Sequence, residues 1–260
     1  MPEMTSYPDG TFAWVDLATT DHAGAKQFYQ SLFGWGANDL PVGEGATYTM
    51  FTLRGENVAA VSQLSEELRS QGVPPHWSSY VSVADVDQVA SKAQELGATL
   101  LVEPMDVFAE GRMAFLQDPA GASVGLWQPK NHIGAQLVNE PNSLCWNELA
   151  TRDIAAGRDF YCQLFGWRAE AQETELGPYT VFKNGEAFAG GMLQMTEDWG
   201  DIPSHWMVYF AVDDCDAAAE RIRELGGAIP VAPTDIPDVG RFAVAADPQG
   251  GPFTVMHMAT

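Results

Sequence analysis

The stretch FYQSLFGW (28–35) returns 132 positions later as FYCQLFGW (160–167), with six of its eight residues unchanged. Within each copy the aromatic and leucine residues fall four positions apart, so their side chains share one face of a helix. Gly34 then supplies the residue type at which helices commonly end. The stretch therefore predicts the apolar last turn of an amphipathic helix, and its return predicts a chain built from two similar halves.

The similarity between the two halves covers most of the chain. Matching segments follow one another in the same order: WVDLATTDHAGAKQFYQSLFGW (14–35) with WNELATRDIAAGRDFYCQLFGW (146–167), HWSSYVSVADVDQVASKAQELGA (76–98) with HWMVYFAVDDCDAAAERIRELGG (205–227), and GRMAFLQDPAG (111–121) with GRFAVAADPQG (240–250). The offset falls from 132 to 129 residues, which short loop deletions explain. An ordered repeat of this length predicts two domains of the same fold.

A polar segment with two prolines separates the matching halves. QPKNHIGAQLVNEPNS (128–143) has no counterpart in the other half, and its composition is typical of a linker. We therefore predict one domain over residues 1–130, a linker over 131–143 that includes His132, and a second domain over 144–260. Such a fused pair is expected to be a monomeric pseudo-dimer, with a homodimer as the alternative.

The composition indicates a globular protein with an acidic surface. The chain carries 35 acidic and 13 basic residues, a formal net charge of −22, and the acids are spread over both halves. This charge repels phosphate, which argues against a nucleic-acid partner. The three cysteines are unmatched and form no disulfide framework. No signal peptide and no stretch of ~20 apolar residues is visible, so we expect a cytoplasmic protein with no membrane partner.

Each half contains the same order of strands and helix twice. FAWVDLA (12–18) alternates as a strand does, and Thr20 or Asp21 can cap the helix that follows. The pattern then restarts with the strand SSYVSV (78–83), a second helix capped by Asp85, and a DPAG hairpin turn. The sequence thus predicts an α+β fold with four strand–helix–three-strand (βαβββ) units.

These features resemble the vicinal oxygen chelate superfamily, which includes glyoxalase I, bleomycin-resistance proteins and extradiol dioxygenases. The resemblance rests on FYxxLFGW early in each half, DPxG before each last strand, and two units per ~130 residues. It implies two tandem glyoxalase-like domains, each with a curved, mixed sheet of eight strands around a cup. Because this superfamily hosts lyases, dioxygenases and proteins that only bind drugs, the fold does not give the function.

Metal-binding members of the superfamily place His or Glu on the first strand of each unit and on the last strand. The resemblance assigns these positions to residues that are not usual metal ligands: Trp14, Ser78, Gly125, Trp146, Met207 and Thr254, with the fourth-strand positions near Val61 and Gly191. We therefore predict no metal and no cofactor, with a divalent metal as the alternative.

A shifted site is the basis of that alternative. Asp16 and Glu148 match across the repeat, as do His76 and His205, and each lies two residues along a strand from a ligand position. One histidine and one acid fall short of the three protein ligands that catalytic sites usually have. Each histidine also follows a proline-containing strand entry, in PPHW or PSHW, where imidazole often satisfies a backbone group. Without a metal, Asp16 or Glu148 could act as a general base.

The alternation of side chains predicts what lines the cups. The candidate ligand-binding residues on one face of the first, fifth and last strands are Trp14, Trp146, His76, Tyr80, His205, Tyr209, Trp127 and Met256. The opposite face, suited to a helix-covered core, holds Val15, Leu17, Val81, Val83, Val124 and Leu126. Aromatic side chains with a few polar groups are typical of small-molecule pockets. The alternative is that the cups are filled by their own side chains.

Two classes of function follow from these residues. The first is a glyoxalase- or bleomycin-resistance-like protein that binds a planar apolar or cationic organic molecule without a catalytic metal. The second is a lyase, isomerase or dioxygenase of the same superfamily, metal-dependent or metal-free. The missing ligand set favours the first class. Arg112 and Arg241, which match across the repeat, are expected to tie their strands to a neighbouring acid, with binding of a substrate carboxylate as the alternative.

Overall fold

The computed structural model describes residues 3–43, 45–174 and 177–259. The first half contains β1 (Thr11–Thr19), α1 (His22–Phe33), β2 (Gly36–Gly43), β3 (Ala46–Leu53), β4 (Glu56–Gln63), α2 (Glu66–Ser70), β5 (His76–Ser82), α3 (Val86–Glu95), β6 (Thr99–Val107), β7 (Gly111–Gln117) and β8 (Ser123–Pro129). The second half contains β9 (Leu144–Thr151), α4 (Ile154–Phe165), β10 (Arg168–Thr174), β11 (Gly177–Asn184), β12 (Ala187–Gln194), a 3-10 turn (Glu197–Trp199), β13 (His205–Ala211), α5 (Cys215–Glu224), β14 (Ala228–Ile236), β15 (Gly240–Ala246) and β16 (Pro252–Met258).

Each half forms one curled, mixed sheet of eight strands, and the two sheets have the same strand order. The order is β2-β3-β4-β1-β5-β8-β7-β6 in the first half and β10-β11-β12-β9-β13-β16-β15-β14 in the second. The first strands of the two units in a half pair antiparallel at the sheet centre, β1 with β5 and β9 with β13. The predicted α+β fold of four βαβββ units in two tandem domains is confirmed. The short helix α2 is an addition that the repeat did not predict.

The octapeptide forms the end of α1, as predicted. The Asp21 carboxylate accepts a hydrogen bond from the Gly24 N–H at 3.0 Å and so caps the start of the helix. The helix ends at Gly34, whose φ of 70° lies in the left-handed region that glycine adopts without strain. The longest described helices have 12 residues. None of the described helices combines the length and the apolar character needed to cross a bilayer.

The hydrophobic cores cross from one half of the chain to the other. Helices α1 and α5 share one core, and α3 and α4 share another, so each unit packs its helix-covered face against a unit of the other half. The six aliphatic residues predicted for this face are all buried in these cores. The residue limits 1–130 and 144–260 describe the two sheets well. Neither half buries its core alone, since each core contains residues of both halves. As limits of independent domains, these bounds therefore remain a prediction.

A buried hydrogen-bond chain joins the octapeptide of one half to the DPxG turn of the other. Trp77 Nε1 donates to the Tyr29 hydroxyl at 3.0 Å, and that hydroxyl donates to Asp247 Oδ2 at 3.1 Å. The other oxygen of Asp247 accepts from the backbone N–H groups of Gln249 and Gly251 at 2.9 and 2.8 Å. One carboxylate therefore shapes the turn of the second half and anchors the helix of the first.

The same series of hydrogen bonds occurs a second time, with the roles of the two halves exchanged. Trp206 Nε1 donates to the Tyr161 hydroxyl at 2.8 Å, which donates to Asp118 Oδ2 at 2.9 Å. The last residue of each octapeptide also reaches across the repeat boundary. Trp35 Nε1 donates to the Asn142 carbonyl and Trp167 Nε1 to the Gly10 carbonyl, both at 2.8 Å. The repeated aromatic stretch therefore forms the end of a helix and also joins the two halves through hydrogen bonds.

Replacing Tyr29 by Phe should lower the free energy of unfolding by about 1–3 kcal/mol, because it leaves the buried Trp77 N–H and one Asp247 oxygen without a partner. Tyr161→Phe should have a similar effect through Asp118. Chemical denaturation measures both changes. Combining Tyr29→Phe with Asp247→Asn should cost less than the sum of the single changes. Strictly additive costs would mean that the two residues do not act as a pair.

Candidate functional site

The concave face of the first sheet, which we call cup 1, gathers three of the predicted lining residues. Trp14, Tyr80 and Trp127 are 3–7 % exposed and belong to one apolar cluster. This cluster also contains Met50, Ala60 and Ala135. It lies on the side of the sheet away from the helices, as the alternation along the strands predicted. Whether these residues bind a ligand remains a prediction.

Cup 1 contains a hydrogen-bond network centred on Asp16. Trp14 Nε1 donates to the Tyr48 hydroxyl at 3.0 Å, and Tyr48 donates to Asp16 Oδ2 at 3.1 Å. Tyr80 donates to the same oxygen at 2.9 Å. The register of the sheet produces this arrangement, since Trp14 lies opposite Tyr80, and Asp16 lies opposite Ala60 on β4. An indole, two phenols and a carboxylate are thereby fixed relative to one another.

The concave face of the second sheet, cup 2, repeats this network with a longer acid. Trp146 Nε1 donates to the Tyr179 hydroxyl at 3.0 Å. Tyr179 donates to Glu148 Oε2 at 2.7 Å, and Tyr209 donates to Glu148 Oε1 at 2.6 Å. Gly191 replaces Ala60 here, and a Cβ at this position would lie 1.8 Å from the Tyr179 hydroxyl oxygen. The glycine therefore makes the room that this version of the network needs.

Sequence reasoning missed Tyr48 and Tyr179, although the repeat contained a signal for them. TYT (47–49) and PYT (178–180) match across the halves, and their tyrosines alternate with residues that face the helices, Phe51 and Phe182. Extending the alternation from the first and fifth strands to the third would have placed both hydroxyls in the cups.

Burial raises the pKa of the central acids. The pKa of Asp16 rises to about 6, because loss of hydration outweighs the opposing effect of the hydrogen bonds from Tyr80 and Tyr48. Burial also raises the pKa of Glu148, again against hydrogen bonds from its two tyrosines. Each acid can therefore change its protonation state nearer to neutral pH than an exposed carboxylate does.

The two matched histidines are held by the backbone at the start of their strands. His76 Nδ1 donates to the Pro74 carbonyl and His205 Nδ1 to the Pro203 carbonyl, both at 2.8 Å. These contacts fix the proton on Nδ1 and satisfy the strand-end carbonyl, the role considered for PPHW and PSHW. Burial lowers the pKa of His205, which favours its neutral form.

The residues at the superfamily's metal positions do not fit a metal. Trp14, Ser78 and Gly125 in the first half, and Trp146, Met207 and Thr254 in the second, offer no usual set of ligands. At the fourth-strand position the predicted Val61 faces the helix-covered core, and its neighbour Ala60 faces the cup. No group of three or more His, Cys, Asp or Glu suited to a metal exists among the residues that the structure describes. The expectation that no metal is needed stays a prediction.

The segment 131–138, which we call the strap, runs across cup 1. The Ala135 N–H donates to the Ala13 carbonyl and the Gln136 N–H to the Asn57 carbonyl, both at 2.7 Å. Ala135 is fully buried in the cup 1 cluster. Gly134 passes so close to β1 that a Cβ would lie 2.3 Å from the Ala13 carbonyl oxygen. The segment predicted as a polar linker therefore also closes one of the cups.

His132 of the strap occupies the aromatic part of cup 1. Its ring centroid is 4.5 Å from that of Trp14, nearly perpendicular to it, and 5.7 Å from that of Trp127. Trp127 Nε1 donates to the His132 carbonyl at 2.9 Å. His132 Nε2 is buried and has no partner among the described residues, and burial lowers the pKa of the ring to about 4. A neutral imidazole thus sits against two indoles.

The matching region of cup 2 is exposed. Phe188 stands at the strand position that Asn57 holds in the first half, and its side chain is 66 % exposed. Its ring centroid lies 6.2 Å from that of Trp146, which is itself only partly buried. Two further predicted residues of this half, Tyr209 and Met256, are buried, and His205 is partly buried. The two cups therefore share a network but differ in access.

The matched arginines tie their strands to helices. Arg112 makes a two-pronged ion pair with Asp87 at 2.7 and 2.8 Å. Arg241 does the same with Asp216 at 2.7 and 3.0 Å and also contacts Asp235 at 2.8 Å. Asp87 and Asp216 lie in the first turns of α3 and α5. The predicted tie to a neighbouring acid is confirmed in both halves.

Comparison with known proteins identifies relatives over the full length. A family model described as the glyoxalase/bleomycin resistance protein/dioxygenase superfamily matches residues 11–126 and 135–254. A protein of Mycobacterium tuberculosis named as a glyoxylase, CFP32, is 46% identical over 100% of this chain and 99% of its own. The anthracycline biosynthesis protein DnrV of Streptomyces peucetius is 35% identical, covering 98% of this chain and 96% of its own.

A solved structure shares the fold at low sequence identity. The Mn(II)-bound glyoxalase from Novosphingobium aromaticivorans aligns with a TM-score of 0.66 and 15% identity, covering 96% of this chain and 82% of the other. At this identity the likeness extends to the architecture alone. It supports two tandem domains, and the chemistry of the cups depends on their own residues.

The raised pKa of Asp16 predicts how its charge affects stability. The folded protein binds the proton on the Asp16 carboxyl more tightly than the unfolded chain does. Protonation of Asp16 therefore stabilises the fold fully below pH ~4, and this stabilisation disappears as the pH rises past about 6. Wild type should therefore lose about 1–2 kcal/mol relative to Asp16→Asn between pH 4 and pH 7. Chemical denaturation at several pH values measures this difference.

Asp39 provides a control of opposite sign. Its carboxylate is exposed and accepts hydrogen bonds from Lys26 and Thr49, which lower its pKa. Wild type should therefore gain stability relative to Asp39→Asn as the pH rises through the acid range. If the Asp16 variant followed the same sign as the Asp39 variant, the buried acid would not have a raised pKa.

Proposed function

The chain belongs to the glyoxalase/bleomycin resistance protein/dioxygenase superfamily, and from this premise we propose that it binds a planar organic molecule, apolar or cationic, in cup 2 without a catalytic metal. One observation carries the proposal. Cup 1 is closed by the strap, whereas cup 2 presents Trp146 and the 66 % exposed Phe188 at its rim. An aromatic pair that is partly open to solvent above a buried polar network is the usual form of a small-molecule site.

The side chains of cup 2 suit a flat molecule that donates a hydrogen bond. Trp146 and Phe188 offer aromatic surfaces, and Met256 offers an adaptable thioether below them. Glu148 accepts one tyrosine hydroxyl on each oxygen, so each oxygen keeps a further lone pair for a ligand. A phenol or a cationic nitrogen on the ligand would donate a hydrogen bond to such a lone pair.

Cup 1 supplies an internal example of such an occupant. There the neutral imidazole of His132 rests against Trp14. Trp146 is the repeat counterpart of Trp14, and the hydrogen bond from its indole to a tyrosine is the same. A planar heteroaromatic ring is therefore compatible with the geometry around this indole, and cup 2 would receive it from solution.

The relatives and the charge point to the same class of ligand. DnrV is named for anthracycline biosynthesis, and anthracyclines are flat, fused-ring molecules. The net charge of −22 raises the local concentration of cations around the protein. The metal positions of the superfamily hold no usual ligands here, which supports binding that depends on aromatic contact and on Glu148.

Truncating Trp146 to Ala should weaken binding of proflavine, a planar cationic acridine, about tenfold or more, because a central aromatic contact is lost. Quenching of tryptophan fluorescence and calorimetry measure the affinity. Trp14→Ala should change the affinity less than twofold and should instead lower the free energy of unfolding by about 3–5 kcal/mol, because Trp14 is buried under the strap. Equal loss of affinity in both variants would contradict an assignment to cup 2.

Glu148 also provides a second candidate function. A buried carboxylate with a raised pKa beside a bound ligand is the arrangement used for general acid–base chemistry. In this case the protein would catalyse a metal-free proton transfer, as in a lyase or isomerase. The two tyrosines that donate to Glu148 at 2.6 and 2.7 Å reduce its basicity, which makes binding the better supported function.

Replacing Glu148 by Gln should separate these possibilities. Affinity for cationic proflavine should fall about tenfold, whereas affinity for acridone, a neutral analogue, should change less than threefold, because a hydrogen bond to a charged acceptor is worth more. Asp39→Asn removes the same charge from the surface of the other half and should affect neither ligand. If a bound ligand were chemically altered by wild type and left intact by the Gln variant, as followed by NMR, catalysis would be established.

A further inference from the structure

We propose that cup 1 is a second, latent binding site for planar, hydrogen-bond-donating aromatic molecules, and that it opens when the strap withdraws His132. The class of ligand rests on the function proposed for cup 2, but the site itself consists of residues of the first half alone. The occupant in the closed state is part of the chain, and an external ring would take its place.

The hydrogen-bond network beneath the strap has all the members that its counterpart in cup 2 has. Trp14, Tyr48, Asp16 and Tyr80 form the same network as their counterparts in cup 2, with the same 3.0 Å bond from indole to phenol. A cup that served only as core would be more stable with apolar residues in place of a buried acid whose pKa is raised by desolvation. The polar network is therefore better explained by an occupant than by packing.

Cup 1 differs from cup 2 in two ways that define its ligand. Trp127 replaces Met256, so a ring in the position of the imidazole would lie between two indoles. Both tyrosines donate to Oδ2 of Asp16, and neither uses Oδ1. That oxygen is available to a donor on the ligand. A planar cation with an N–H group fits this combination.

The strap is held by hydrogen bonds along its backbone, and one of its buried groups is unsatisfied. Four strap N–H groups donate to carbonyls outside the strap, those of Asn131, His132, Ala135 and Gln136. Three strap carbonyls accept, that of His132 from Trp127, that of Ala135 from the Tyr7 hydroxyl and that of Gln136 from the Met4 N–H. Leu137 is buried in the core shared by α1 and α5, so opening concerns the strap as far as Gln136. Neither Ala135 nor Gln136 lies in a described strand or helix. His132 Nε2, buried without a partner among the described residues, makes the closed state less favourable.

The outer side of the strap leaves room for movement. A surface depression borders it, lined by Met4, Thr5, Asn57 and the strap residues Asn131, His132, Ile133, Gly134 and Gln136. Withdrawal of the strap would expose Ala135 and the imidazole while the sheet below keeps its own hydrogen bonds. Apparent affinity at cup 1 is then the intrinsic affinity reduced by the fraction of molecules in the open state.

Removing the internal occupant should reveal the site. Calorimetry with proflavine should give one bound molecule per chain in wild type and two in His132→Ala. In the double variant with Trp146→Ala, which removes the anchor of cup 2, one molecule should remain bound, about tenfold or more tighter than in Trp146→Ala alone. Adding Trp14→Ala should abolish that remaining binding. A folded His132→Ala protein that binds no additional proflavine would overturn the proposal.

The outcomes also separate this proposal from that for cup 2. If wild type binds no proflavine and His132→Ala binds one molecule through Trp14, the latent site stands and the function of cup 2 fails. If wild type binds through Trp146 and His132→Ala adds nothing, the reverse holds.

A measurement on wild-type protein decides the matter if His132→Ala does not fold. Proflavine at concentrations well above those that saturate cup 2 should accelerate amide hydrogen exchange at Ala135 and Gln136, because their hydrogen bonds to β1 and β4 break when the strap leaves. Unchanged or slower exchange at these two amides would mean that the ligand does not displace the strap, and would overturn the proposal.

Discussion

The structure depends on two buried hydrogen bonds in which a tyrosine of one half donates to an aspartate of the other. Tyr29 reaches Asp247, and Tyr161 reaches Asp118. Each aspartate at the same time holds its own hairpin turn through backbone N–H groups. The halves are consequently joined through their helix-covered faces, which leaves both concave faces directed outward. The sharing of cores is confined to the side of each sheet that faces away from its cup.

Because the halves are fused, the two cups are free to differ. Both keep an indole, two phenols and a carboxylate in one network, yet four substitutions change their surroundings: Asp16 for Glu148, Ala60 for Gly191, Asn57 for Phe188 and Trp127 for Met256. The connection between the halves must pass close to cup 1, because it begins at the end of β8 and must reach β9. The same covalent link that makes one chain of two domains thus supplies the strap that covers Trp14.

The sequence predicted the fold because the signals were local and occurred twice. Helix caps, the glycine stop and the alternation of β1, β5 and β8 are properties of short segments, and the repeat confirmed each of them. The contact between Tyr29 and Asp247 spans 218 residues and has no local signature. The strap was equally hidden. Its path depends on two contacts with the first half, the close approach of Gly134 to the Ala13 carbonyl and the packing of His132 against Trp14. Its composition is that of any polar linker and indicates neither contact.

The hydrogen bonds to Glu148 bear on whether cup 2 is suited to binding or to catalysis. A general base needs a lone pair with a high proton affinity directed at the substrate. Burial provides the affinity in Glu148, but phenol donors at 2.6 and 2.7 Å stabilise its charged form and take one lone pair from each oxygen. A carboxylate in this state is better suited to accept a hydrogen bond from a ligand than to remove a proton from carbon. Since the strands beside it also lack the superfamily's metal ligands, these hydrogen bonds support the proposed recognition of a flat donor molecule rather than its conversion.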